Sequence, residues 1–229
     1  MTRKAIVTGH SKGLGAALAS QLEADGWAVL GVSRSAGAQV DLGSASELAA
    51  WLESGALAEF LADASDVILI NNAGAVSPIG FVGTLDPAEI ERSVNVNVTA
   101  PLILTDAVVR LRTAGASLRV VHVSSGAARR PFATWSTYCA GKAAVDMHAV
   151  ALAEENLDGV RVASIQPGVV DTGMQATLRA TDFPGRDEFQ SLKDEGRLSS
   201  PDEAARRIIT LLNRADFGEK VIADVRDAG

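Results

Sequence analysis

With a single cysteine, Cys139, the chain cannot form an internal disulfide, and three separated histidines, His10, His122 and His148, do not have the spacing that zinc sites use. A reducing, cytoplasmic setting without a metal is the expectation. Positive charge is also short. The 21 Lys and Arg stand against 28 Asp and Glu, a net charge of -7, which gives no electrostatic footprint for a nucleic acid or an anionic membrane surface. Uninterrupted apolar runs fall short of the roughly 18 to 20 residues that cross a bilayer. The opening Arg3-Lys4-Ala5-Ile6-Val7 meets glycine too soon for a signal peptide. Neither nucleic acid nor membrane is an expected partner. Aromatic residues make up only 4% of the chain, and Tyr138 is its one tyrosine.

A length of 229 residues with 47% hydrophobic and 21% charged residues suits one globular domain over 1–229. Short β-branched runs alternate with helical patterns from end to end. Such alternation predicts an α/β fold, a Rossmann-type doubly wound parallel sheet of about seven strands with helices on both faces. The expected strands are Ala5 to Thr8, Ala28 to Ser33, Gln39-Val40, Val67 to Ile70, Val120 to Ser124, Val160 to Gln166 and Val221 to Ala223. Helix starts are marked by Ser44 with Glu47, by Asp86-Pro87 and by Ser200-Pro201. The least regular stretch, 173–199, follows the sixth strand and is expected to be a substrate-binding loop region at the carboxyl end of the sheet, where open α/β folds bind ligands.

The first strand ends in Thr8-Gly9-His10-Ser11-Lys12-Gly13-Leu14-Gly15 and runs straight into a helical pattern. Glycines there permit a tight turn and close approach of a pyrophosphate to the free N–H groups of a helix start. The second strand ends at Ser33-Arg34, with no acid until Asp41. An acid at that strand end would select a ribose 2'-hydroxyl, whereas the cations Arg34 and Lys12 suit a 2'-phosphate, so NADP(H) is favoured over NAD(H). Asp41 and Leu42 are candidates for the adenine edge, or they simply flank a helix.

Tyr138 and Lys142 share one helix face at i, i+4, so the ammonium can favour the ionised phenol and bring it into range for proton exchange. Ser125 closes the fifth strand and could hydrogen-bond the oxygen that the tyrosine protonates. Trp135, close by, could stack on a flat substrate or serve only in packing.

Taken in order, Thr8-Gly9-x-x-x-Gly13-x-Gly15, Asn71-Asn72-Ala73-Gly74, Asn97, Ser125, Tyr138-x-x-x-Lys142 and Pro167-Gly168 followed by Thr172 resemble the short-chain dehydrogenase/reductases over nearly the whole chain. The resemblance implies that Tyr138 is the general acid and that Lys142 lowers its pKa and binds the nicotinamide ribose. Ser125 would orient the carbonyl, and Asn97, or else Asn95, would hold a relay water. Ser11, Leu14 and the turn residues around them would bind the pyrophosphate, and Asn72, Ala73 and Gly74 the adenosine side. Pro167, Gly168, Val170 and Thr172 would meet the nicotinamide, with Gly168 also near substrate. Pro131-Phe132, Trp135, Tyr138-Cys139-Ala140-Gly141-Lys142 and Asp171-Thr172-Gly173-Met174 are similar to the sepiapterin reductase and benzil reductase branch, which reduces ketones and vicinal dicarbonyls with NADPH. That similarity implies a small-molecule carbonyl substrate, with Asp224 as its anchor unless it is only a solvated acid. It also implies a homodimer or homotetramer paired through the helices beginning near Asp86 and Tyr138. Two other readings stay open: a generic NADP-dependent alcohol dehydrogenase, and a non-catalytic NADP-binding redox sensor.

Overall fold

The computed structural model describes residues 2–228. Seven strands form one parallel sheet: β1 (Thr2–Thr8), β2 (Ala28–Ser33), β3 (Ala38–Gln39), β4 (Ala64–Asn71), β5 (Ser117–Val123), β6 (Val160–Gln166) and β7 (Ile222–Asp224). Their order is β3-β2-β1-β4-β5-β6-β7. Several strands reach beyond the β-branched runs that mark them in the sequence. β1 starts at Thr2 and β4 at Ala64 because backbone pairing continues past the apolar core residues, with Arg3 opposite Asp66.

Every central strand is apolar on both faces, as a sheet covered on two sides requires. Ala5 and Val7 point to the layer formed by α1 (Gly13–Ala24) and α9 (Pro201–Leu212), whereas Ile6 points to the opposite layer. That second layer includes α2 (Ala45–Glu53), α3 (Ala56–Leu61), α5 (Ala100–Leu111) and α6 (Ser136–Glu154). The caps form as the sequence predicts. Ser44 and Ser200 accept from the N–H groups of Glu47 and Glu203, and Asp86 accepts from that of Ala88 at the head of α4 (Pro87–Val94). The Glu47 carboxylate, however, turns away from its cap to accept from the Asp41 N–H at 3.2 Å.

α4 passes through a π-helical turn, Asn95–Thr99, into α5, and the resulting helix Pro87–Leu111 has the length and mean composition of a membrane span, although Glu89, Glu91, Arg92, Asp106 and Arg110 keep its uninterrupted apolar runs short. Its apolarity has a use in the core, since Ala100, Leu104, Ala107 and Val108 are buried against the sheet. The stretch 173–199 is not an irregular loop: it folds into α7 (Gly173–Ala180) and α8 (Arg186–Asp194). Its two ends meet in a bridge between Val170 and Ser199, where Ser199 N–H donates to Val169 O at 2.9 Å and Asp171 N–H to Ser199 O at 3.0 Å.

The strand-to-helix turn after β1 is packed to contact. A Cβ on Gly15 would stand 2.2 Å from Gly9 O and 2.5 Å from Asn72 Nδ2, whereas one on Gly173 would meet nothing within 4 Å. Gly15→Ala is therefore expected to cost about 1–3 kcal/mol by overpacking, and Gly173→Ala to stay within about 0.5 kcal/mol of the parent. Urea unfolding tests this: the midpoint should drop for Gly15→Ala alone, with an unchanged slope, and equal midpoints for the two variants would contradict the tight turn.

Candidate active site

β1 has β2 on one side and β4 on the other, so the chain's path reverses there and a crevice opens at the carboxyl ends of the strands. A cleft of about 970 Å³ occupies that position. The Thr8 side chain ties its two walls together. Its Oγ1 accepts from the N–H groups of Asn72 and Ala73, each at 2.9 Å, while Asn72 Nδ2 donates to Thr8 O at 2.8 Å. β4's exit strand is thereby held against the glycine turn.

Gly9, Ser11, Lys12, Gly13, Leu14 and Gly15 line one end of the cleft. Lys12, the residue before α1, makes no side-chain cap bond, so the first N–H groups of the helix have no intrahelical partner and can receive an anion. Lys12 and Arg34 both reach the cleft wall, and neither is held in an ion pair among the described residues. The Asp41 carboxylate, in contrast, is occupied. Arg92 Nη2 donates to both of its oxygens at 2.8–2.9 Å and the Gly43 N–H at 2.9 Å. Burial raises its pKa, but those bonds and the Arg92 charge outweigh it and hold the carboxyl below the usual range. Free N–H groups, unpaired cations and a glycine floor make this end fit a phosphorylated dinucleotide.

The opposite end gathers the candidate proton donors. Ser125 caps a 3-10 turn, Gly126–Ala128, by accepting from the Ala127 N–H at 3.2 Å, which leaves its own hydrogen free to donate. Tyr138 and Lys142 sit one turn apart near the start of α6, each only 5% exposed. The Lys142 ammonium donates to Val123 O at 2.9 Å. Asn97, buried in the π turn, donates to Ala75 O at 2.7 Å and accepts from the Ala75 N–H at 3.2 Å. The π turn spaces the chain so that this amide braces the cleft wall from behind.

Burial governs the titrations. It pushes the Tyr138 phenol up to about 12, against the Ser125 hydroxyl, which pulls it down, and with a smaller upward push from Cys139. It lowers Lys142 to about 8, opposed by the Asp146 carboxylate. The expected lowering of Tyr138 by Lys142 is absent in the ligand-free protein. The i, i+4 spacing places Lys142 Nζ over the Tyr138 ring, 5.7 Å from its centroid, and the loss of water sets the direction of the phenol's shift.

An aromatic wall completes this end. Trp135 stacks on Phe132 at 4.8 Å and on Phe189 of α8 at 5.2 Å, meets Tyr138 edge-on at 5.9 Å and touches Phe183. Its indole N–H is buried without a hydrogen-bond partner among the described residues. Arg130 lies over Phe132 and pairs with Glu188 at 3.6 Å, linking the two sides of the cleft mouth.

Of the residues singled out in the sequence, Leu42, Ala73, Gly74, Pro167, Gly168, Val170 and Thr172 also border the cleft, with Thr172 opposite Gly13. Thr8 and Asn97 act from behind the wall. Asp224 does not border it: its carboxylate is bound by the Arg226 N–H, Nε and Nη2 at 2.7–2.9 Å at the end of β7. Nor are the histidines all separated, since His122 Nε2 and His148 Nδ1 stand 3.0 Å apart. The sequence reading missed Phe183, Phe189, Arg129, Gln166 and Asp146. Only Asp146 had a visible signal, as the next step of the Tyr138, Lys142 spacing.

The family model for short chain dehydrogenases matches residues 3–182. The benzil reductase ((S)-benzoin forming) of Bacillus cereus is 33% identical over 97% of this chain and 99% of its own length. The sepiapterin reductase of Rattus norvegicus is 38% identical over 70% of this chain and 63% of its own. A short-chain dehydrogenase/reductase from Burkholderia vietnamiensis superposes with TM-score 0.71 at 43% identity, covering 98% of this chain and 97% of that one. Another short chain dehydrogenase, from Burkholderia cenocepacia J2315 in complex with NADP, superposes with TM-score 0.76 at 26% identity over 96% and 94%. The chain belongs to the short-chain dehydrogenase family and is an oxidoreductase of CH–OH and C=O groups.

Proposed function

We propose that this protein is an NADPH-dependent carbonyl reductase acting on a ketone or vicinal dicarbonyl. The observation that carries the reading is a buried phenol that keeps its proton, Tyr138, beside the free Ser125 donor and between an anion-binding turn and an aromatic wall. The cofactor, when bound, supplies the hydride. Ser125 donates to the carbonyl oxygen, and Tyr138 delivers the proton to the same atom as charge develops there. A phenol held up near 12 serves as an acid. The same group would act as the base in alcohol oxidation, so the preference for reduction over a generic alcohol dehydrogenase is supported by the likeness to benzil and sepiapterin reductases. An intact acid, donor and ammonium in one cleft also favour catalysis over redox sensing.

Lys142 stabilises the phenolate left behind and contacts the nicotinamide ribose. Behind it, a Cβ on Gly74 would stand 3.2 Å from Asn97 Oδ1 and 3.4 Å from Lys142 Nζ. The bare glycine leaves room for a relay water between those two groups. Lys12 and Arg34 support NADP(H) over NAD(H) through charge-assisted contacts with a 2'-phosphate. The aromatic wall of Phe132, Trp135, Phe183 and Phe189 supports a flat substrate. Exposed Val94 on α4 and Met147 on α6 support pairing of copies through those helices, as a homodimer or homotetramer.

Three outcomes follow. Tyr138→Phe should cut benzil turnover with NADPH by about 10²-fold or more while NADPH affinity, read by fluorescence titration, stays within a few fold; retained turnover would sink the mechanism. Arg34→Asp should shift the kcat/KM ratio toward NADH, and an unchanged ratio would place 2'-phosphate recognition elsewhere. Lys142 loses its charge above about pH 8 whereas Tyr138 keeps its proton. Reductive kcat/KM should accordingly be level below that pH and fall above it, and a profile still level two units higher would contradict the assigned roles.

A further inference from the structure

The Tyr138, Lys142 stripe has a third member that no step above uses. Asp146 follows Lys142 at the same i, i+4 spacing on α6 and is 8% exposed. Its Oδ1 accepts from two buried hydroxyls, Ser124 at the end of β5 at 2.5 Å and Ser164 of β6 at 2.6 Å. Its Oδ2 faces Arg129 at 3.6 Å, and Arg129 in turn donates to Gln166 at 3.2 Å. Arg129 and Gln166 both line the cleft. One carboxylate thus joins α6, two strand ends and the turn that follows Ser125.

We propose that Asp146 is a positioning residue of the active site: it pins the Tyr138–Lys142 face of α6 to the ends of β5 and β6 and serves as the buried counter-charge of the Lys142 ammonium. Each part has a physical reason. A buried ammonium without a counter-charge is costly, and Val123 O, its one hydrogen-bond acceptor among the described residues, is neutral. Ser124 is the immediate neighbour of Ser125, so the Asp146 bond to Ser124 sets how far Tyr138 stands from the carbonyl-orienting hydroxyl. The carboxylate also opposes the effect of burial on Lys142. The other groups near Lys142 do not take over that task. Tyr138 on its own helix is neutral, His122 on β5 is held neutral by burial, and His148 farther along α6 is likewise lowered by burial. The π turn presents the uncharged Asn97 and β6 the uncharged Ser164, while Arg129 carries a like charge that competes for the same carboxylate.

The test reads Lys142 directly. The chain has five lysines, so ε-carbon-13 lysine labelling gives few signals, and a Lys142→Arg control assigns the one titrating near 8. In the ligand-free protein, Asp146→Asn keeps the shape and an acceptor for the serines but removes the charge. It should move the Lys142 midpoint down by at least half a unit, about a threefold weaker hold on the proton. Arg129→Gln removes the competing cation and should move it up. Opposite shifts support the proposal. An unmoved or reversed shift in either variant overturns it, and if Asp146→Asn does not fold, the sign of the Arg129→Gln shift alone decides. In turnover, Asp146→Asn should carry the alkaline limb of kcat/KM acidward by the amount the resonance moves, whereas a loss of kcat with an unmoved limb would mark a merely structural role. The link to activity rests on the reductase reading. The ligand-free titration does not, so an inactive parent enzyme would overturn that reading and leave the Asp146 coupling separately measured.

Discussion

The cleft depends on one hydroxyl. Thr8 Oγ1 takes two backbone N–H groups from the exit of β4; that of Asn72 also reaches Ile70 O at 3.1 Å, whereas that of Ala73 has no second acceptor among the described residues. The part-buried Ala73 N–H would otherwise carry a desolvation cost of about 1–3 kcal/mol. With that junction closed, Asn72 can reach back to Thr8 O, Gly15 can pack against Gly9 and the N-terminus of α1 points into the crevice. The Asn72–Gly74 segment then stands close enough to face Lys142 and Asn97. Binding end and reacting end are therefore set by the same contact, made at the last residue of the first strand.

At the reacting end, the controlling factor is the removal of water rather than the charges themselves. Tyr138 and Lys142 are both driven toward their uncharged forms, which is what a low-dielectric pocket does to any isolated acid or base. Tyr138 in this condition keeps its proton until a partner with developing negative charge arrives. The groups that act against the loss of water, Ser125 on Tyr138 and Asp146 and Val123 O on Lys142, are fixed by backbone or strand-end bonds, so little reorganisation is needed when charge moves.

Much of this was legible in the sequence. The strands showed because a sheet buried on both faces demands β-branched runs, and the caps showed because Ser44, Asp86 and Ser200 perform the same local task wherever they occur. The glycine turn, Ser125, Tyr138 and Lys142 were legible for a similar reason: their spacing is short-range or follows the order of the strands. α7 and α8 were hidden. Thr172 makes no side-chain cap bond, α8 begins after a left-handed Gly185, and their few buried residues, among them Leu178 and Phe189, face the aromatic wall instead of the sheet. The direction of the Tyr138 titration was hidden too, because spacing reveals a neighbouring cation but not how much water is excluded. Asp41 was visible as an acid, yet its capture by Arg92 joins residues far apart in the chain.

The bridge between Val170 and Ser199 separates inheritance of the scaffold from inheritance of specificity. Because the excursion leaves and returns at neighbouring points, its closure is already fixed by the pinned backbone, and added or lost residues change that entropy only slowly with length. The helices within it supply Leu178 and Phe189 to the substrate wall but contribute nothing to the register of the strands. The residues bordering the aromatic end of the cleft can therefore change by editing one separable segment, while the placement of Ser125, Tyr138 and Lys142 after β5 and on α6 stays fixed by the sheet.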